Sequence, residues 1–259
     1  PTRAARSSNS SPIDRAARVG LLLGPLFATY YGATGILTGS LANVIVAGLV
    51  ESGGGPSIPW TVWAVWMGPV MGLGRTVLVV AVTYLLYRPS DPDAVTAPDA
   101  AGSVSPSPRE TRMLAFLLVG VAIWASDFVH GLHPLFGAVV VALLSFAPRI
   151  GVVDHDAIGE ADLSIILFLG AIFAIVEGLR RAAFTDLAAT SPLSLLPAGP
   201  PLPLVLIVIT ATSMVLVLVM EGIAVASVII PVFVSFANGA DIPLVPMAMI
   251  ESVGLSGYF

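Results

Sequence analysis

The chain has 259 residues, of which 56% are hydrophobic and only 10% charged, and its mean hydropathy is +0.95. Soluble domains carry about 25% charged residues, so this composition indicates a membrane protein. A formal net charge of −5, with every basic residue an Arg, excludes a basic nucleic-acid-binding surface. The chain has no Cys and only three His, so disulfides and a zinc centre are not expected, nor is an organic cofactor.

Apolar runs separated by polar segments predict a series of membrane-spanning helices. The runs lie at about 17–50 (interrupted), 60–87, 113–130, 134–148, 163–179, 202–236 (a hairpin) and from 243 onwards. Arginines cluster before the first run, between the second and third, and after the fourth. These positions share one side if the spans alternate, and the positive-inside bias makes that side cytoplasmic. We therefore expect a multi-pass protein of the cell membrane.

Polar segments between the apolar runs divide the chain into four parts. Residues 88–112, RPSDPDAVTAPDAAGSVSPSPRETR, are rich in Pro, Ser and Asp and lack an apolar period, which predicts an exposed cytoplasmic linker. We expect a cytoplasmic N-terminal segment over 1–18, a broken helix and one span over 19–87, and a second unit over 113–259. The sequence starts without Met and stops inside an apolar run, so we expect a fragment, incomplete at both ends.

The first apolar run is interrupted by YGATGILTGSLANV, residues 31–44. Irregular backbone at membrane depth is tolerated only against protein or a water-filled cavity, and Thr34, Thr38, Ser40 and Asn43 offer oxygen atoms suited to a small cation. The helix that follows directs its positive N-terminal end to the same place. Close packing of small residues is the alternative explanation. A second interruption, MEGIAVASVIIP at 220–231, favours a transporter site, because such interruptions occur in pairs in transporters.

The segment GATGILTGSLAN, residues 32–43, resembles the corresponding loop of the divalent-anion:sodium symporter family, within the larger ion transporter superfamily. The family loop is approximately GGTATLIGTPPN, and the two align without a gap. The segments 111–148 and 161–188 are similar to the opening helices of the family's second inverted repeat. The resemblance covers most of the chain from about residue 17.

This resemblance implies an all-α membrane transporter built from inverted repeats, with broken helices and a re-entrant hairpin. It also implies sodium-coupled symport of a dicarboxylate, citrate, sulfate or phosphate, with sodium as coupling ion, and a homodimer in the lipid bilayer. The ion and substrate site implied by the family motifs consists of Thr34, Gly39, Ser40, Asn43, Glu221, Gly222 and Ser252, with Thr34, Ser40 and Asn43 as sodium ligands.

The chain departs from the family at the hairpin tip, where Glu221-Gly222-Ile223 stands in place of Ser-Asn-Thr. A carboxylate at membrane depth marks a functional position by default. Glu221 is expected to bind a cation or to exchange a proton, unless the tip is shallow enough to reach water. A proton-coupled carrier or a cation/proton antiporter of the same superfamily is therefore the alternative function.

Several other residues have two interpretations each. A proton relay is one interpretation of Asp127, His130 and His133, and a position at the outer mouth of the protein is the other. The side chain of Arg75 either contacts an anion or has a structural partner. Glu177 precedes Arg180 and Arg181 by about one helical turn, which predicts an ion pair.

The motif GLSG at 254–257 resembles the nucleophile motif of rhomboid-type intramembrane serine proteases. Serine attack needs a general base, and no His follows residue 155, so an enzyme is not expected. A purely structural scaffold would not need polar interruptions in both halves.

Overall fold

The structure is a computed structural model that describes residues 15–88, 105–182 and 199–256, together with 194, 196 and 197. All regular structure in these residues is helical. Most of the predicted N-terminal segment, the linker residues 89–104 and Gly257 of the GLSG motif lie outside the described residues.

The first half contains the interrupted span predicted over 17–50. Helix α1 (Arg15–Gly32) ends where the polar stretch begins, two short 3-10 turns (Ala33–Gly35 and Leu37–Gly39) follow, and α2 (Leu41–Ser52) resumes the helix. The backbone is extended at Ile36 and Ser40, so the helical conformation is interrupted twice within the break. The break therefore falls on the glycine-rich and hydroxyl-rich residues.

The predicted long span over 60–87 is helical but not uniformly so. It consists of α3 (Trp60–Met67), a π-helical segment (Gly68–Gly74) and α4 (Arg75–Leu86). The π segment contains Pro69, which has no N–H to donate, and three glycines, and such residues disturb regular α-helical bonding. Helix α1 packs along α4, and the first 3-10 turn packs on the π segment.

The second half begins at a capping box. The Ser107 hydroxyl accepts from Glu110 N, and Ser107 N donates to Glu110 Oε2 at 2.6 Å; these hydrogen bonds hold the pKa of the Glu110 carboxyl below its usual value. Helix formation thus starts five residues before the predicted span at 113. The following helices are α5 (Pro108–Ala125), α6 (Asp127–His130), α7 (Pro134–Ser145), α8 (Ala157–Glu160) and α9 (Ser164–Arg181).

The last three helices form the centre of the molecule. Helix α10 (Leu202–Val217) and α11 (Gly222–Ala240) are separated by four residues, and α12 (Leu244–Leu255) follows a left-handed residue at Asp241. Helix α11 packs against α2, α9, α10 and α12. Its side chains Ile229, Ile230 and Phe233 are fully buried, and α11 supplies a larger share of the apolar core than any other described helix.

Two of the described helical stretches are long and apolar enough to cross a membrane: Trp60–Leu86 with 27 residues and Gly222–Ala240 with 19. Four further apolar helices have 10–17 residues: Leu41–Ser52, Pro134–Ser145, Leu202–Val217 and Leu244–Leu255. A 30 Å hydrocarbon core needs about 20 helical residues. The short lengths arise where polar or glycine-rich segments interrupt the apolar runs.

Candidate functional site

The two polar interruptions line one cavity of about 340 Å³. Six of the seven predicted site residues contribute to its wall, and the seventh, Gly222, directly follows Glu221 and is buried. The lining residues are Thr29, Tyr30, Ala33, Thr34, Gly39, Ser40, Leu41, Ala42, Asn43, Glu221, Ile223, Ser252, Leu255 and Ser256. Residues more than 180 positions apart in sequence therefore meet at one place.

The described part of the chain contains two larger cavities, the first of which shares Ser40 and Leu41 with the candidate cavity. One, of about 480 Å³, runs beside α2 and α7, and the other, of about 410 Å³, lies between α1 and α4. Both are lined mainly by apolar side chains, whereas a specific site needs convergent polar groups. We therefore assign the candidate site to the smaller, more polar cavity.

The side-chain amide of Asn43 stabilises the loop that interrupts the helix. Its Nδ2 donates to Ile36 O at 2.9 Å and lies 3.4 Å from both Ala33 O and Thr34 O. Buried Trp63 also donates to Thr34 O, through Nε1 at 3.0 Å. These donors satisfy carbonyls that the interrupted helix leaves without partners. Because Nδ2 serves the loop, Oδ1 is the atom of the Asn43 amide that remains to accept from, or coordinate, a ligand.

Glycines allow the loop to approach its neighbours closely. A Cβ atom at Gly35 would lie 2.4 Å from Gly72 Cα in the π segment, and one at Gly39 would lie 2.4 Å from Ala33 O. Either contact is far below van der Waals separation. The predicted site residue Gly39 thus has a steric role, since a side chain there would displace the first 3-10 turn.

The N-terminus of α2 faces the cavity without a side-chain cap. Ser40 is the N-cap residue, and its hydroxyl accepts no hydrogen bond from the first turn. Leu41, Ala42 and Asn43, whose N–H groups have no acceptor within the helix, all line the cavity. An uncapped helix N-terminus attracts anions, so this side of the cavity is suited to a negatively charged group.

The N-terminus of α11 is instead occupied by Glu221. Its Oε2 accepts from Ile223 N at 2.7 Å and from Ala224 N at 3.2 Å, so the carboxylate caps the helix and offsets its positive end. The sequence indicated an ion ligand, a proton-exchanging group or a water-exposed tip, and did not identify this capping role. Glu221 also borders the cavity, so capping and ligand contact are compatible.

Ser252 on α12 and Ser256, the C-cap residue of that helix, complete the wall. Ser252 and Ser256 are one helical turn apart; Ser252 Oγ lies 3.3 Å from Ala248 O, and Ser256 Oγ donates to Val253 O at 3.0 Å. Ser256 also accepts a hydrogen bond from Arg75 Nη1 at 3.0 Å. Arg75, half-buried on α4, thus reaches the edge of the cavity.

Sequence reasoning overlooked Glu251, which precedes Ser252. The residue is fully buried, and its Oε2 lies 2.5 Å from Ser213 Oγ on α10. Its Oε1 is buried without a hydrogen-bond partner, and no described cation forms an ion pair with it. The signal was available, because an acidic residue within the apolar run 244–255 is unusual.

The remaining candidates have separate partners. Asp127 accepts from Thr61, whereas His130 lies 3.0 Å from Ile123 O and His133 accepts from Leu135 N. The described contacts therefore do not join Asp127 to His130 in a relay. The predicted ion pair of Glu177 is present, with Arg181 Nε at 2.8 Å.

Among the described residues, Ser256 of the GLSG motif has no histidine partner. Ser256 is bonded to Val253 and Arg75, and the contacts of His130 and His133 lie within their own segments. The described contacts therefore provide no general base for this serine.

Two broken helical stretches whose polar breaks enclose one cavity are the architecture of a membrane transporter. The family model of the sodium:sulfate symporter transmembrane region matches residues 3–258, and the chain belongs to this family. It is therefore a helical membrane protein of the sodium-coupled anion transporter type, as the resemblance of residues 32–43 implied. No curated protein gives a significant match to the chain.

Proposed function

We propose that the protein is a secondary active transporter of the cell membrane that carries a small anion inward together with sodium. The substrate classes are dicarboxylate, citrate, sulfate and phosphate. The observation that carries the proposal is the convergence of both polar interruptions on the 340 Å³ cavity. Oxygen atoms for a cation and an uncapped helix N-terminus for an anion border the same space.

Each predicted residue has a role in this proposal. Thr34, Ser40 and Asn43 bind a sodium ion with their oxygen atoms, and the N–H groups at the start of α2 bind the anion beside it. Gly222 and Ser252 form the wall opposite, and Glu221 either binds a second cation or remains a cap. Sodium bound first reduces the net negative charge of the cavity, so the anion binds better when sodium is present.

Transport requires the cavity to open alternately to the two sides. We propose that α10 and α11 form the re-entrant hairpin of the second inverted repeat, and that the carrier is a homodimer. Sodium orders the loop 33–40 and the tip at Glu221, and only the empty or fully loaded carrier crosses. No covalent chemistry is needed.

The alternative is proton coupling or cation/proton antiport. One observation favours it: Glu221, an ionisable carboxyl, borders the cavity where Ser-Asn-Thr is the family pattern. A proton that neutralises this carboxyl would take over the role of a sodium ion.

The experiment is uptake into proteoliposomes that contain the full-length protein. Radiolabelled succinate, citrate and sulfate are offered with an inward sodium gradient, and separately with an inward proton gradient. Uptake driven only by sodium supports the proposal, and uptake driven only by protons supports the alternative.

Variants connect uptake to the cavity. Asn43→Ala removes the hydrogen bonds of the amide to the loop and one proposed sodium ligand. The sodium concentration for half-maximal uptake is therefore expected to rise about tenfold or more. Ser52→Ala, at the exposed far end of the same helix, is the matched control. Equal sodium dependence in both variants would overturn the site assignment.

A further inference from the structure

Arg75 carries a positive charge at the edge of the candidate cavity. Its Nη1 donates to Ser256 Oγ at 3.0 Å, and its guanidinium carbon lies 5.1 Å from the centre of the Tyr31 ring. Ser256 lines the cavity, as does Tyr30, whose ring packs edge-on against Tyr31 at 5.3 Å. The guanidinium thus lies within hydrogen-bond distance of a group on the cavity wall.

Close backbone contacts hold Arg75 at this position. The π segment touches the broken helix where Gly35 meets Gly72, and Gly32 packs against Thr76 so closely that a Cβ would lie 2.6 Å from Thr76 Oγ1. Arg75 follows the π segment directly and precedes Thr76. Its backbone is therefore fixed relative to the loop that forms the proposed sodium site.

The charge of Arg75 has no internal counter-ion among the described residues. The ion pairs there are Arg109–Asp154 and Arg181–Glu177, both solvent-exposed. Glu221, the acidic residue of the cavity lining, is engaged by the first turn of α11 and forms no ion pair with Arg75. A guanidinium has five N–H donors, of which one donates to Ser256, so donors and charge remain for a ligand.

An arginine at membrane depth is costly, and such a residue normally faces a polar partner, a ligand or a water-filled cavity. The second positive feature of the cavity is the uncapped N-terminus of α2, which is formed by different residues. The guanidinium, which is bonded to Ser256 at the edge of the cavity, and the helix N-terminus in the cavity wall are two separate positive groups, and together they are complementary to a ligand with two negative charges. A guanidinium additionally matches the planar geometry of a carboxylate, with two parallel hydrogen bonds.

We propose that Arg75 binds one anionic group of a divalent oxyanion substrate and thereby selects divalent over monovalent anions. This inference rests on the proposed function, since it assigns a residue to the substrate of the same cavity. The N-terminus of α2 binds the other anionic group, and Ser256 orients the guanidinium through its hydroxyl. A dicarboxylate has two separate anionic groups, whereas sulfate carries both charges on one group, so the test includes both kinds of dianion.

The test compares substrates that differ by one carboxylate. The complete natural protein is reconstituted in proteoliposomes under an inward sodium gradient, and the KM is measured for radiolabelled succinate, sulfate and butyrate. Variants are Arg75→Gln and Arg75→Lys, with Arg181→Gln as the matched control, because Arg181 is exposed and paired on α9. The half-saturating sodium concentration is measured in parallel.

Arg75→Gln is expected to raise the KM for succinate about tenfold or more and to abolish the preference for succinate over butyrate. Arg75→Lys keeps the charge but not the paired donors, so a smaller rise is expected. The sodium dependence and the Arg181→Gln variant should stay within about twofold of wild type. A larger effect on sulfate than on succinate would identify sulfate as the dianion recognised.

An unchanged KM and unchanged preference in Arg75→Gln, with a wild type that transports, would overturn the assignment of Arg75 and leave the proposed function intact. If Arg75→Gln does not fold, the test rests on Arg75→Lys. A KM for succinate in Arg75→Lys that equals that of wild type would then overturn the assignment. Absence of uptake by folded wild type would refute the proposed function and this inference with it.

Discussion

Thr61 at the start of α3 is held by Asp127, which follows α5 in the other half of the chain. Thr61 Oγ1 donates to Asp127 Oδ1 at 2.5 Å, and Thr61 N donates to Oδ2 at 3.2 Å. The carboxylate thus caps the first turn of a helix 66 positions away, close to the stacked rings of Trp60 and Trp124. The two halves of the chain are joined by a polar contact as well as by apolar packing.

Loss of this cap should destabilise the protein. Asp127→Ala leaves two donors of α3 without an acceptor, and we expect a loss of about 1–3 kcal/mol in the free energy of unfolding. Thr61→Val removes only the hydroxyl and should cost less. Thermal unfolding in detergent of both single variants and the double variant measures the coupling, and fully additive effects would contradict the contact.

The close approach of Gly35 to Gly72 predicts a steric effect with a matched control. Gly35→Ala would place a Cβ 2.4 Å from Gly72 Cα, whereas a Cβ at Gly48, on α2 of the same broken helix, meets nothing within 4 Å. Gly35→Ala is expected to lower the melting temperature and anion uptake strongly. Gly48→Ala should be neutral or stabilise by up to about 1 kcal/mol through helix propensity. Equal behaviour of the two variants would show that the loop does not pack on the π segment.

The capping and charge roles of Glu221 can be separated by substitution. Glu221→Ser retains an N-cap acceptor without the charge, and Glu221→Ala removes both; loss of an N-cap costs about 0.5–2 kcal/mol. If Glu221 is only a cap, Glu221→Ser restores both stability and sodium-dependent uptake. If it is also an ion ligand, Glu221→Ser restores stability while the half-saturating sodium concentration rises. Melting temperature and uptake are measured on the same preparations.

The buried carboxyl of Glu251 predicts that a neutral side chain at this position does not destabilise the protein. A buried carboxylate without a counter-ion is costly, so Glu251→Gln, which is uncharged and of similar size, should keep the melting temperature at or above that of wild type. Ser213→Ala removes the bond to Oε2 and should destabilise by about 1–3 kcal/mol. A large loss of stability in Glu251→Gln would instead indicate an ionised carboxylate with a cationic partner.

Much of the helical pattern was predictable because its causes are local. The break at 31–44 and the one near Glu221 were visible as polar and glycine residues inside apolar runs. The helix boundaries near 134, 164 and 202 agree with the predicted spans to within a few residues. Six of the seven predicted site residues line the same cavity: five of them lie on the two breaks that the motifs mark, and Ser252 lies on α12.

Some local features escaped prediction for identifiable reasons. The π segment at Gly68–Gly74 contains no polar side chain, so hydropathy gave no sign of it. Glutamate is not among the strongly preferred N-cap residues, so Glu221 was not expected to cap α11. Helix α5 starts at Pro108 because Ser107 and Glu110 form a capping box. Both residues lie in the segment 88–112 that was predicted to be a linker, so this helix start was not predicted.

The sequence by itself determined that this is an all-helical membrane protein of a sodium-coupled anion transporter family, with polar breaks in two helices. Only the tertiary structure decided which side chains meet: Arg75 with Ser256, Asp127 with Thr61, and Glu251 with Ser213. Those pairs are 38 to 181 positions apart. Hydropathy and helical periodicity depend on residues that are neighbours in sequence. These contacts depend instead on how the helices pack, and that packing is determined by close approaches such as that of Gly35 to Gly72.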